Sequence, residues 1–332
     1  MMKPQIHDIL QSRILVLDGA MGTMIQRYNL SEDQYKGERF KNIERLQKGN
    51  NELLTLTQPE IIEQIHRAYL EVGADIIETN TFNATSISME DYGTQNYVSE
   101  INAEAARIAR KVADEFTLKD PSKPRFVAGA IGPTNKTTSI KQTNANTRSV
   151  NFDDLRISYE EQIEVLIDGG VDIILLETIF DTLNAKAALF AAQDIFRKKG
   201  REIPIIVSIT LPDKGEYTFS GDTIEEFLAS IPHIKLLSVG LNCSFGATAM
   251  KPHLKQLKTA SSLFVTAYPN AGLPNKMGEY DDTPEKMANQ IKEFVDEGLV
   301  NIVGGCCGTT PQHIAKIAKL VDGVTPPTPR KR

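Results

Sequence analysis

Short apolar runs of strand length alternate with amphipathic segments eight times along this 332-residue chain. The segments between the runs carry apolar residues at helical spacing, as in 58–72, 157–169, 182–196, 223–230 and 284–297. A strand followed by a helix, repeated eight times, predicts an α/β fold and specifically a (β/α)8 TIM barrel. A doubly wound sheet gives the same alternation, so the count alone leaves that architecture open. The predicted strands are 14–17, 75–78, 126–130, 172–176, 205–209, 236–241, 264–267 and 301–303.

Polar or small residues follow most of these runs directly. The short polar segments at the strand ends begin at Asp18, Glu78, Gly132, Glu177, Asn242, Pro269 and Cys306. In a parallel barrel the carboxyl ends of all strands meet at one face, where active sites form. The distribution therefore favours a barrel with one composite site at that face. The longest connections, 22–55 and 133–152, lie on the same side and are predicted to be lids or substrate loops.

The three cysteines are predicted to lie at the ends of strands. Cys243 follows the run 236–241, and the adjacent pair Cys306 and Cys307 follows the last strand. Three thiolates with a fourth position open to exchange are typical of a catalytic zinc site, whereas structural zinc normally has four firm protein ligands. A strained disulfide or inert buried thiols remain the alternatives for each cysteine taken alone. The shared position at strand ends favours the metal site.

Composition excludes several other functions. A net charge of −6 gives no basic surface for nucleic acid. No apolar run approaches the roughly 18 residues needed to cross a bilayer, and the N-terminus lacks the apolar core of a signal peptide, so we expect a cytoplasmic protein. The glycine-containing segment 129–137 lacks the Gly-Lys-Ser/Thr ending of a phosphate-binding loop. None of the five histidines joins a cluster of potential ligands.

Several motifs resemble those of the homocysteine S-methyltransferase family over nearly the whole chain. They are Leu-Asp-Gly-Ala-Met-Gly-Thr at Leu17, Glu-Thr-Asn-Thr-Phe at Glu78, Gly-Leu-Asn-Cys at Gly240 and Gly-Gly-Cys-Cys-Gly-Thr-Thr-Pro at Gly304. The resemblance implies L-homocysteine as substrate and Zn²⁺ held by Cys243, Cys306 and Cys307. It also implies that Asn270 is an exchangeable fourth ligand. Four residues are implied around the amino-acid end of homocysteine, with Asp18 and Glu177 near its ammonium group and the amides of Gly19 and Ala20 near its carboxylate.

Further motifs resemble the N-terminal homocysteine-binding barrel of cobalamin-dependent methionine synthases. They start at Tyr35, Lys48, Phe180 and Pro269. This resemblance implies methylcobalamin as methyl donor, carried by a corrinoid-binding module that works with a folate-binding module, since this chain has no Asp-x-His-x-x-Gly corrinoid motif. Residues 1–325 are then the barrel, and 326–332 begin a proline-rich linker to a further module.

Three other interpretations stay open at this stage. A stand-alone homocysteine S-methyltransferase would use a sulfonium or betaine donor. A barrel lyase or aldolase would need a Schiff-base lysine at a strand end, and none is evident. A non-enzymatic module with structural zinc would need a fourth permanent ligand.

Overall fold

The computed structural model describes residues 5–136, 150–212, 217–231, 234–275 and 280–329. Within these ranges the strands are β1 (Leu15–Val16), β2 (Ile76–Glu78), β3 (Phe126–Ile131), β4 (Ile173–Ile179), β5 (Ile205–Ile209), β6 (Ser238–Gly246), β7 (Phe264–Asn270) and β8 (Ile302–Val303). The α-helices are α1 (Ile6–Leu10), α2 (Met21–Gln26), α3 (Glu32–Lys36), α4 (Leu54–Thr57), α5 (Pro59–Glu71), α6 (Ser86–Met89), α7 (Val98–Lys119), α8 (Phe152–Asp168), α9 (Thr182–Lys199), α10 (Ile224–Ser230), α11 (Ala247–Ala260), α12 (Pro284–Asp296) and α13 (Pro311–Val321). Short 3-10 helices cover Asn51–Leu53, Glu90–Tyr92 and Gln95–Tyr97.

The eight strands form one parallel sheet in the order β1-β8-β7-β6-β5-β4-β3-β2. A parallel bridge between Leu17 and Ile76 joins the first strand to the second and closes the sheet into a barrel. The amide of Asp18 also donates to the carbonyl of Ile76 at 3.0 Å. The predicted (β/α)8 barrel is therefore confirmed, and the doubly wound alternative is wrong.

The period-2 alternation of the strands divides their side chains between two cores. One set points into the barrel, where Leu15, Leu17, Ile76, Phe126, Ala128, Ile173, Leu175, Ile206, Phe264 and Ile302 pack together. The other set packs under the surrounding helices and includes Val16, Ile77, Val127, Ile174, Leu176, Val207, Val239, Val265 and Val303. Helix α1 closes the amino end of the barrel, since Ile6, Ile9 and Leu10 join the inner core. The opposite end is left for the site.

Three strands extend at least three residues beyond the carboxyl ends that the sequence predicts. β4 runs to Ile179, β6 to Gly246 and β7 to Asn270. The register shifts within β4 and within β6, because each strand contains a bulge there. Thr178, Cys243 and Ser244 adopt positive φ angles of 57°, 57° and 56° in these bulges, a conformation that apolar periodicity does not reveal.

The predicted lid segment 22–55 consists of short helices joined by turns and irregular stretches, and it is held against the barrel. It contains α2, α3, a 3-10 turn and the start of α4. The buried Glu52 carboxylate accepts from the Asn83 amide at 2.9 Å, and the Tyr35 hydroxyl donates to Asn51 at 2.9 Å. Of the other predicted loop, 133–152, residues 137–149 lie outside the described residues.

At the end of the described chain, Asn301 donates its side-chain amide to the carbonyl of Pro327 at 2.8 Å. The assignment of 326–332 to a linker stays a prediction. No helix in the part of the chain that the structure describes is both long enough and apolar enough to span a bilayer.

Candidate functional site

The three cysteines come together at the carboxyl face of the barrel. Their sulfur atoms all lie within 4.8 Å of one another, and none forms a disulfide. The sulfurs of Cys243 and Cys307 are 3.7 Å apart. A tetrahedral zinc ion with Zn–S bonds of about 2.3 Å requires sulfurs about 3.8 Å apart, so the distance between Cys243 and Cys307 fits two of its four positions, and Cys306 lies close enough to supply a third ligand.

Main-chain hydrogen bonds fix the cysteine pair against the end of β7. The Cys306 amide donates to the Pro269 carbonyl at 2.8 Å, and the Ala271 amide donates to the Cys307 carbonyl at 2.9 Å. Asn270 lies between these two anchors. Its side chain is 4% exposed, and its Oδ1 has no hydrogen-bond partner among the described residues. A buried carboxamide oxygen without a partner beside three thiols is consistent with a fourth metal ligand.

The thiols share their protons unevenly. Hydrogen bonds donated by Cys243 and Cys306 lower the pKa of Cys307 to about 3. Hydrogen bonds with its two cysteine neighbours, and then burial, raise the pKa of Cys306 well above the usual range. The pKa of Cys307 is therefore the lowest of the three thiols. A divalent cation would displace the remaining thiol protons, which makes binding dependent on pH.

A group of buried carboxyls lies at the same face. Asp18 Oδ2 accepts from the Glu78 amide at 3.1 Å, while Asp18 Oδ1 has no partner among the described residues. Burial, followed by the charge of Glu78, raises the pKa of Asp18 well above its ordinary value. Burial, followed by the charges of Glu78, Asp18 and Cys307, does the same for the pKa of Glu177. These couplings connect the carboxyls to the cysteine cluster.

The sequence places Glu78 among the polar residues at strand ends but assigns it no binding or catalytic role. It is the last residue of β2, and burial raises its pKa to about 8. Its charge acts on both Asp18 and Glu177. Such a set of carboxyls, held partly neutral, suits a ligand that brings a positive charge.

The structure places Gly19 and Ala20 at the start of α2, next to the cysteine loop. A Cβ at Gly19 would lie 2.8 Å from Tyr69 Cε1 and 2.9 Å from Thr309 Cγ2, so a larger residue does not fit. The Ala20 amide donates to the Thr309 carbonyl at 3.3 Å. A substrate carboxylate would have to replace the Thr309 carbonyl as the acceptor of this hydrogen bond. The predicted roles of Gly19 and Ala20 therefore stay predictions.

The chain is similar to known proteins over almost its full length. The family model described as homocysteine S-methyltransferase matches residues 15–321. Among solved structures, the homocysteine methyltransferase MmuM from Escherichia coli in its metallated form has a TM-score of 0.70 at 20% identity, covering 95% of this chain and 98% of that one. Its oxidized form has a TM-score of 0.70 at 19% identity, covering 92% and 95%. Identities this low establish a common fold. The family match over most of the chain shows that this protein belongs to the homocysteine S-methyltransferase family.

Proposed function

We propose that this chain activates the thiol of L-homocysteine at a zinc ion and presents the sulfur for methylation to methionine. The observation that carries the proposal is the cluster of three sulfurs, together with the unpartnered carboxamide oxygen of Asn270, whose main-chain neighbours bond the cysteine pair. Cys243, Cys306 and Cys307 would hold the ion, and Asn270 would occupy the exchangeable position. Bound zinc supplies the Lewis acidity that keeps a coordinated thiol ionised at neutral pH.

The residues of the chain account for exchange at the fourth position. A carboxamide oxygen is a weaker zinc ligand than a thiolate, so homocysteine would replace Asn270 at a bound zinc ion and release its thiol proton to solvent. Three cysteine thiolates would already offset the charge of the ion, so the added sulfur would keep its electron density and its nucleophilicity. The product sulfur is a neutral thioether that would bind weakly, which would let Asn270 return.

The buried carboxyl side chains of the site orient the substrate. The homocysteine ammonium group lies near Asp18 and Glu177, where its positive charge stabilises the ionised carboxylates and lowers their raised pKa values. The amides of Gly19 and Ala20 receive the substrate carboxylate. The sulfur then attacks the methyl carbon of the donor, and the electron pair of the broken bond leaves with the donor.

Within the family, we propose that the chain acts as the homocysteine module of a cobalamin-dependent methionine synthase. Methylcobalamin would be carried by a corrinoid-binding module, and a folate-binding module would supply its methyl group. The motifs at Tyr35, Lys48 and Pro269 support this assignment, as does the ordered segment 22–55 that includes two of them. A cytoplasmic location, without nucleic-acid or membrane partners, belongs to the same proposal.

A panel of methyl donors tests this function. Zinc-loaded protein is incubated with L-homocysteine and one methyl donor at a time, either free methylcobalamin, S-adenosylmethionine or glycine betaine, and methionine is measured by mass spectrometry. We expect methionine only in the reaction that contains methylcobalamin, and no methionine from a Cys307→Ser variant with any donor. Turnover with only the sulfonium or betaine donor would instead identify a stand-alone homocysteine S-methyltransferase. No turnover with any donor would contradict the proposal.

An Asn270→Ala variant tests the exchangeable ligand separately. Because the three sulfurs remain, the variant should retain zinc. It should bind homocysteine at least as tightly as the unaltered protein, since no protein oxygen competes for the fourth position. Loss of zinc from this variant would show that Asn270 is a permanent ligand and would favour structural zinc.

A further inference from the structure

Asn242 makes an unusual set of contacts beside the cysteine cluster. It is 1% exposed and directly precedes Cys243 in β6. Its Oδ1 accepts from the Thr178 amide at 3.0 Å and from the Ser208 hydroxyl at 2.7 Å. Its Nδ2 donates to Thr178 Oγ1 at 2.9 Å and points at the sulfur of Cys306 at 3.9 Å. Both acceptor sites and both donor sites of the carboxamide are used.

The contacts also determine which way the carboxamide faces. A main-chain N–H can only donate, so the side-chain atom that faces the Thr178 amide must be the oxygen. The NH2 group then necessarily faces Thr178 Oγ1 and Cys306. A reversed carboxamide would set its NH2 group against the Thr178 amide, which can only donate, and would leave no N–H group facing the sulfur. The NH2 group of Asn242 therefore faces the sulfur of Cys306, and the hydrogen bonds that Oδ1 accepts from Thr178 and Ser208 hold it there.

Asn242 also connects the two bulged strands of the site. Thr178, which it bonds through both main chain and side chain, follows Glu177 and has a φ of 57°. Cys243, the next residue after Asn242, has the same φ. Positive φ is unfavourable for a β-branched residue such as threonine, so the surrounding contacts must hold it there. The single carboxamide thus spans the strand that carries a carboxyl of the site and the strand that carries a thiol.

We propose that Asn242 is a positioning residue, which directs an N–H group at the sulfur of Cys306 and fixes the bulges that aim Cys243 and Glu177. The inference rests on the proposed zinc site. An N–H donor to a thiolate withdraws charge from the sulfur and restricts its orientation, and a group of this kind outside the ligand shell tunes how tightly the ligands hold the ion. In this proposal Asn242 neither binds zinc nor contacts homocysteine.

An Asn242→Asp variant removes the donor to sulfur together with the donor to Thr178 Oγ1, whose hydroxyl can donate to the new carboxylate instead. Aspartate has the same shape and can still accept from the Thr178 amide and from Ser208, but it places a carboxylate oxygen opposite Cys306. The matched control is Ser208→Ala, which removes one donor to Oδ1 and leaves the group that faces the sulfur. Zinc affinity is measured by competition with a chromophoric chelator. Cobalt(II) is bound in place of zinc to record the thiolate-to-metal charge-transfer absorption.

We expect Asn242→Asp to bind zinc about 10- to 100-fold more weakly, the range found when outer partners of metal ligands are removed. Its cobalt(II) charge-transfer bands should shift, whereas Ser208→Ala should keep both the affinity and the bands. A merely structural role would lower the thermal stability of the metal-free protein and leave the cobalt spectrum unchanged.

An unchanged affinity and spectrum in Asn242→Asp would overturn the inference while leaving the zinc site intact. If an Asn242→Ala variant fails to fold, the aspartate variant still decides the question. Unaltered protein that takes up neither zinc nor cobalt would contradict the proposed function, and this inference with it.

Discussion

Replacing Glu78 by glutamine should flatten the dependence of stability on pH in the neutral and alkaline range. Burial raises the pKa of Glu78 from 4.5 to about 8. The folded state therefore binds a proton more tightly than the unfolded state does, and its stability falls as pH rises toward and through 8. For these two values the loss between pH 6 and pH 8.5 is about 2.5 kcal/mol. Glu78 is partly accessible to water, which screens its charge and reduces this loss of stability. We therefore expect a loss of about 1 to 2.5 kcal/mol between pH 6 and pH 8.5.

Urea unfolding of the metal-free, reduced protein at a series of pH values measures this effect. The free energy of unfolding of Glu78→Gln should fall less than that of the unaltered protein between pH 6 and pH 8.5. The exposed Glu71 provides the matched control, since Glu71→Gln should follow the unaltered protein. Superimposable pH profiles for Glu78→Gln and the unaltered protein would show that burial does not raise the pKa of Glu78.

Two further substitutions test separate parts of the structure. Burial lowers the pKa of His66 from 6.5 to about 4, so the free energy of unfolding falls as pH drops below 6.5. The loss between pH 8 and pH 5 is about 2 kcal/mol, and His66→Leu should abolish it in urea unfolding. The same dependence of stability on pH in the variant and in the unaltered protein would contradict this. A Cβ at Gly305 would lie 2.2 Å from Thr309 Oγ1, so Gly305→Ala should destabilise the protein by about 1 to 3 kcal/mol and weaken zinc binding in a chelator competition. The control is Gly22→Ala, whose Cβ would meet nothing closer than 3.7 Å; equal zinc affinity in both variants would show that the cysteine loop adapts.

The architecture could be predicted from the sequence because a parallel barrel repeats one local pattern. Each strand buries both faces, so its apolar run stands out, and each is followed by amphipathic helical spacing. The convergence of Cys243 with the pair Cys306 and Cys307 followed from placing all three at strand ends. The structure brings the three sulfurs together, although Cys243 lies within β6 and not after its end.

Other features of the site depend on geometry that local patterns do not encode. The bulges at Thr178 and Cys243 come from register shifts between neighbouring strands, and neither residue is of a type that favours positive φ. Asn242 reads as part of a Gly-Leu-Asn-Cys motif, and only its contacts across the barrel distinguish it from a strand-end turn residue. Glu78 was visible as a strand-end carboxylate, but its coupling to Asp18 requires the closure of the first and second strands.

Zinc content together with X-ray absorption at the zinc edge, with and without L-homocysteine, distinguishes thiol activation from a structural role of the cysteines. We expect one tightly bound zinc ion per chain in reduced protein. Its coordination should change from three sulfurs and one light atom to four sulfurs when homocysteine is added. Absence of zinc, or a coordination shell that homocysteine leaves unchanged, would contradict thiol activation and return the three cysteines to a structural role.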